Sequence, residues 1–374
     1  MDIIIPKRNL LPLLARSVTV ADKKSAMPAL ANVLLSADAG TLCVSATDLY
    51  LSVTGDTPAE VSIAGAVALP AKDLFERVKM MPDGPIQIIA NDTAQTTIKA
   101  VGSARRYTLH GIPGSEFPVL PKPTPDAPTL TLPVDVLALL IARTHFSIST
   151  DETRPHVNSG LFEWSGDKVR LVSTDGHRLS KMEATVSGSS ATATMLIPLK
   201  AIGELRRLAD EAKGEKEALT VSITQSGPNA FFAIAGMTFS CKLVDAQFPP
   251  YQQVIPEPRV AARAPRAALI EALRAMKVAS PDRTGGVKLT FEPGVLRLTS
   301  ESPESGNGMD EIAIDYAGPA ATIGFNAEYL LDALGVVATD DVLLDVGGEL
   351  DPMRITAGDG SDEYVGVVMP QRIA

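Results

Sequence analysis

The segment Thr174-Asp175-Gly176-His177-Arg178-Leu179 sets a carboxylate and an imidazole two residues apart, a pairing a hydrolase could use as orienter and general base. No companion nucleophile is in view. The chain contains no G-x-S-x-G, no H-E-x-x-H, no G-x-x-x-x-G-K-[ST] and no G-x-G-x-x-G following a strand. Its four histidines (His110, His145, His156 and His177) include no pair at metal-ligand spacing. Two distant cysteines, Cys43 and Cys241, are too few for a disulfide framework or a cysteine zinc site and read as reduced core residues. Asp175-Gly176 is also an ordinary turn between two strands, and that reading is favoured over catalysis. Thr47-Asp48 repeats the turn 127 residues earlier without a histidine, so His177 reads as a binding feature added to one copy of a repeated unit. No metal or cofactor is expected.

The elements that carry these residues repeat with the same period. Leu69-Pro70-Ala71-Lys72, Ile197-Pro198-Leu199-Lys200 and Ile323-Gly324-Phe325-Asn326 each place an apolar residue and then Pro or Gly before a helical pattern, at offsets of 128 and 126. Apolar spacing predicts helices over Lys7 to Arg16, Ala71 to Met80, Val134 to Arg143, Leu199 to Leu208, Arg266 to Lys277 and Asn326 to Leu334. Pro12 should kink the first helix or mark its true start. Alternating segments such as Thr41 to Ser45, Lys168 to Val172, Val295 to Thr299 and Tyr364 to Val368 predict strands. Two proline-rich stretches, Pro118 to Pro125 and Pro249 to Pro258, read as stiff, extended connectors.

At 374 residues, with 45% hydrophobic and 21% charged, the chain suits two or three globular domains. No apolar run approaches a membrane span, and the opening Met1 to Pro6 is too short for a signal core, so a soluble cytoplasmic protein is expected. The net charge of −10 argues against non-specific nucleic-acid binding. Yet the predicted helices hold thirteen basic and seven acidic side chains, leaving −16 for the remainder. Ordinary helix propensity explains part of that bias. The alternative is a shared basic face turned toward a polyanion. The last helix, with Glu328 and Asp332 and no basic residue, departs from the pattern.

Taken in order across the repeats, four segments resemble the bacterial sliding clamp, the beta subunit of DNA polymerase III. They are Thr174 to Leu179, Ser240 to Asp245 with Phe248-Pro249-Pro250-Tyr251, Ile323 to Asn326, and Val367-Val368-Met369-Pro370-Gln371-Arg372. The resemblance covers essentially the full length. It implies an α+β fold of three DNA-clamp domains (1–122, 129–250 and 256–374), each with two helices packed on antiparallel sheets, forming half of a closed dimeric ring. Twelve helices about 10 Å apart enclose a hole of about 28 Å, enough for a duplex roughly 20 Å wide; six leave only about 9 Å.

By the same resemblance the protein is a non-catalytic processivity factor that encircles duplex DNA without reading sequence. A clamp loader places it there, and it tethers the polymerase III alpha subunit and other proteins carrying a clamp-binding motif. Residues matching DNA-facing positions are Lys24, Lys72, Lys79, Lys200 and Arg206, with Arg154 in a nearby loop. A peptide-binding cleft would use Val157, Thr174, Gly176, His177, Arg178, Leu179, Pro249, Val254, Val367, Val368, Met369, Pro370 and Arg372. Tyr107 and Leu109 would meet Val278 and Ala279 of the other subunit. Pro155-His156 replaces paired tyrosines of some clamps, Gln253 stands where some relatives carry arginine, and Ala374 extends past the usual end. A specialised clamp paralogue and a hydrolase using Asp175 and His177 are the alternatives.

Overall fold

The computed structural model describes residues 1–187, 192–212, 219–279, 285–302, 306–361 and 363–372; Ala374 lies outside them. Six α-helices follow the expected order among the described residues: α1 (Lys7–Val20), α2 (Ala71–Lys79), α3 (Val134–Ala142), α4 (Leu199–Ala212), α5 (Arg266–Ala279) and α6 (Ala327–Gly335). Each starts where a strand stops. In five cases the last strand residue is a proline: Pro6, Pro70, Pro133, Pro198 and Pro265. Proline offers no amide to a ladder, and its fixed φ suits a chain turning into a helix. The sixth start uses Asn326, whose Oδ1 accepts the amides of Glu328 at 2.9 Å and Tyr329 at 3.4 Å.

Three helices outrun their sequence-based ends by two residues or more: α1 reaches Val20, α4 reaches Ala212 and α5 reaches Ala279. Pro12 is neither the start of α1 nor its end. It sits on the exposed side, while Leu10, Leu13, Leu14, Ser17 and Val20 bury the opposite stripe. That packing offsets the one ladder bond a proline removes.

The chain forms two compact units, 1–134 with 211–243, and 135–210 with 244–374. Both cut through the middle sequence repeat, and strand pairing is the reason. In the first unit, Leu51–Pro58 of the first repeat pairs antiparallel with Met237–Lys242 of the second, Ser52 opposite Ser240 with their hydroxyls 2.5 Å apart. This join completes a nine-stranded sheet, and a five-stranded sheet accompanies it. In the second unit, Arg178–Thr185 pairs with Tyr364–Val368, completing an eight-stranded sheet beside a four-stranded one. Cys43 and Cys241 are free thiols; burial pushes them to about 11 and about 12, which keeps them protonated.

The second proline-rich connector corrects the sequence reading. It is not extended throughout, because Tyr251–Gln253 makes a 3-10 turn and Tyr251 is 4% exposed. One aromatic side chain folds the connector onto the second unit.

Candidate functional site

The turn at Asp175 is held by its own side chains. Asp175 Oδ1 accepts the amides of His177 at 2.9 Å and Arg178 at 3.0 Å. Thr174 Oγ1 donates to the Arg178 carbonyl at 2.7 Å and accepts the Gly176 amide at 3.1 Å. Gly176 has φ +95°, where glycine has no Cβ to clash. The carboxylate therefore serves the turn, and its bond to His177 goes to the backbone amide. That geometry belongs to the β-turn reading, not to a catalytic dyad.

Beside the turn, the 178–185 and 364–368 strands place Leu179 opposite Val367 and Arg178 opposite Val368, and the Met369 amide donates to the His177 carbonyl at 2.8 Å. Leu161, Val172, Leu179, Leu196, Tyr251, Val365 and Val367 form a buried cluster, against which Val244, Phe248 and Ile255 pack. Each such side chain contributes roughly 1.5–3 kcal/mol on full burial. The Tyr251 hydroxyl donates to Glu163 Oε2 at 2.8 Å; burial, then Glu163, push its pKa up to about 12, so it remains a donor. This bond fixes the connector that carries Pro249 and Val254.

Over that floor, Met369 and Val254 are each 38% exposed, Gly176, His177 and Arg372 are exposed, and Pro249 and Pro370 are half-buried. Gln371 donates to the Gly324 carbonyl at 2.8 Å and so ties down the chain end before Arg372. Val157, Thr174, Leu179, Val367 and Val368 are buried. They support the site and present almost no contact area of their own.

Arg178, one of the expected cleft residues, is engaged within the protein itself. Its Nε donates to Asp175 Oδ2 at 3.0 Å, its Nη1 to Asp332 Oδ2 at 2.5 Å and its Nη2 to the Phe146 carbonyl at 2.6 Å. The guanidinium lies 4.5 Å from the Tyr329 ring centroid and 5.6 Å from that of Phe146. His177 stacks on the same Tyr329, centroids 6.4 Å apart. Phe146, Tyr329 and Asp332 were missed from sequence. The available signal was the spacing Tyr329 to Asp332 on α6, just after the Asn326 cap. It also accounts for the acidic character of α6, since Asp332 meets Arg178 and Glu328 meets Lys277.

The basic bias of the helices is weaker than the sequence suggested. With the observed bounds they carry twelve basic and nine acidic side chains, because α4 takes in Asp210 and Glu211 and α3 ends before Arg143. Arg16 pairs with Glu211 at 3.1 Å, Arg207 with Glu204 at 3.0 Å, and Arg77 with Asp73 at 3.6 Å. Lys24, Lys72 and Lys79 are exposed in the first unit; Arg154, Lys200 and Arg206 are exposed in the second. Lys79 rides 5.8 Å over its neighbour Phe75. Arg154 bonds Asp151 at 2.9 Å and the Asp175 carbonyl at 3.3 Å, which links its loop to the turn.

Arg206 Nη1 lies 2.5 Å from His145 Nε2, and His145 Nδ1 lies 3.1 Å from the Ile141 carbonyl. Burial and then the Arg206 charge hold the imidazole below its ordinary pKa. A neutral ring with the proton on Nδ1 satisfies both contacts.

Of the expected subunit contacts, Val278 is 85% exposed at the end of α5, and Ala279 and Tyr107 are half-buried. Leu109, at 4% exposure, packs into its own sheet, so it adds little surface to any interface. Its strand, Arg106–His110, is the last in the five-stranded sheet; Gly306–Ala313 ends the four-stranded one.

Repeated helices on antiparallel sheets, joined strand to strand between repeats with a half-exposed apolar site at one join, make this an α+β repeat protein. The N-terminal, central and C-terminal domain models of the DNA polymerase III beta subunit match residues 1–121, 131–250 and 252–372. The beta sliding clamp of Pseudomonas putida is 32% identical over 380 residues, covering all of both chains. The crystal structure of the DNA polymerase III subunit beta from Pseudomonas aeruginosa superposes with a TM-score of 0.93 at 30% identity, again over both full chains. A Bartonella birtlesii sliding clamp bound to griselimycin gives 0.90 at 32% identity, with 100% of each chain covered. The chain belongs to the DNA polymerase III beta subunit family, the bacterial sliding clamps.

Two outcomes follow from the site's electrostatics. Replacing Arg178 with alanine leaves Asp175 and Asp332 without their cation, and should cost about 2–4 kcal/mol. Chemical denaturation followed through the second unit measures it, and a loss under about 0.5 kcal/mol would refute the hub role. For His145 the folded pKa is depressed, so the unfolded chain takes up the proton first. Its contribution is complete above about pH 6.5 and declines below it. The melting temperature of the wild type should fall more steeply from about pH 7 to about pH 5 than that of His145→Gln. Parallel curves would contradict the assignment.

Proposed function

We propose that two copies of this chain close head to tail into a ring around duplex DNA and act as a processivity factor without chemistry of their own. The three domains would divide near 1–122, 129–250 and 256–374. The exposed apolar rim at Met369 and Val254 over a rigid apolar floor carries the reading: it suits capture of a short linear peptide from the polymerase alpha subunit, the loader or another replication or repair protein. His177, Gly176, Pro249, Pro370 and Arg372 complete the rim, while Arg178 positions it.

Lys24, Lys72, Lys79, Arg154, Lys200 and Arg206 are proposed to meet phosphates. Exposed cations attract a duplex through its phosphates without reading bases, so they fix no position along it, which sliding requires. The protein as a whole repels polyanions at −10. Retention therefore has to be topological more than adhesive. The open edges of Arg106–His110 and Gly306–Ala313 support a strand-to-strand subunit contact flanked by Tyr107, Val278 and Ala279.

After loading, the protein should stay on nicked circular DNA and leave when the circle is linearised. Its mass in solution should be twice that of one chain. Equal retention on circular and linear DNA, or a strict monomer at every concentration, would contradict the ring.

A further inference from the structure

The turn beside the peptide site occurs twice in this molecule, bond for bond. In the first unit Asp48 Oδ1 accepts the amides of Tyr50 at 2.9 Å and Leu51 at 2.6 Å, as Asp175 does for His177 and Arg178. Thr47 Oγ1 donates to the Leu51 carbonyl at 2.8 Å and accepts the Leu49 amide at 2.9 Å, as Thr174 does. The Lys242 amide donates to the Tyr50 carbonyl at 2.8 Å, where the Met369 amide meets the His177 carbonyl at 2.8 Å. Both turns lead into a strand that pairs with a strand of the next repeat.

What differs are the side chains. Leu49 occupies the Gly176 position and is forced to φ +75°. It is the largest of four non-glycine residues at positive φ among those described; the other three are alanines. A glycine there would relieve the backbone strain. Yet the leucine is 54% exposed, so its own packing does not repay the strain. Tyr50, in the His177 position, is 68% exposed, where His177 has Tyr329 to stack upon. Lys242, in the Met369 position, is exposed and adds a positive charge at the edge.

We propose that Leu49, Tyr50 and Lys242 form a second, shallower docking site for an extended peptide, one presenting a leucine or aromatic side chain beside a carboxylate. The inference rests on reading the 178–185/364–368 join as the peptide site, since the duplicate turn borrows its logic. The substitution of lysine for methionine supplies the acidic preference. Strained leucine and unstacked tyrosine supply an apolar contact that the fold itself leaves uncovered.

The test uses the full-length protein and a dye-labelled synthetic peptide containing Leu-Phe flanked by aspartates, titrated by fluorescence anisotropy. Leu49→Gly should weaken the lower-affinity phase at least about fivefold while the melting temperature holds or rises, because glycine accepts the turn's φ. Lys242→Glu should weaken the acidic peptide more than a version with asparagine in place of aspartate. Met369→Asp tests the other site separately and should remove the tighter phase only. A titration that Leu49→Gly and Lys242→Glu leave unchanged overturns the second site, whatever Met369→Asp does. Insensitivity to Met369→Asp alone counts against the first site while leaving a Leu49-dependent phase in support of the second.

Discussion

Antiparallel pairing between repeats is the constraint on which the rest of this structure depends. A clamp repeat standing alone would expose the edge of its fourth principal strand, with a row of unpaired amides and carbonyls. Here that edge is covered by the closing strand of the following repeat, Met237–Lys242 in one case and Tyr364–Val368 in the other. Register leaves no freedom in what lies beside each turn, since a shift by one residue would turn Val367 and Leu179 away from their apolar cluster. The binding site is thus a by-product of sheet completion. Met369 is brought to His177 because the ladder ends there.

Side chains then decide what each join becomes. At the second join, Arg178 draws in Asp175, Asp332 and the ring of Tyr329, tying α6 to the turn. Breaking such a partly buried network costs more than its surface counterparts would. By contrast Arg16–Glu211, Arg77–Asp73 and Arg207–Glu204 are pairs of one cation with one carboxylate, the first and last half-buried and Arg77–Asp73 the most exposed and worth little. Their effect is on the surface potential: they spend cations that would otherwise attract phosphate, leaving exposed lysines such as Lys24, Lys72 and Lys79 on an acidic protein.

The repeat, the six helices and the strand at Tyr364–Val368 were legible because they rest on local physics, namely apolar periodicity and proline at strand ends. Helix ends were less so: α4 continues through Asp210 and Glu211 and α3 stops before Arg143, which together halve the apparent basic bias. Tertiary partners were not legible at all. Nothing local to Arg178 announces Asp332, 154 residues away, and nothing in Leu109 distinguishes a residue that faces its own core from one that faces another subunit. Tyr251 looked like part of a stiff linker. Its ring joins the apolar cluster around Leu179 and Val367, with Glu163 accepting from its hydroxyl, a fact available only from the fold.

Amide hydrogen exchange across the second join is the most direct measurement of this account. The amides of 178–182 and 364–368 should open together as one cooperative unit, and both should slow when a short peptide ligand occupies the site beside them. If the 364–368 strand exchanged independently of 178–182, or stayed unchanged on peptide addition, sheet completion would not be what builds the site.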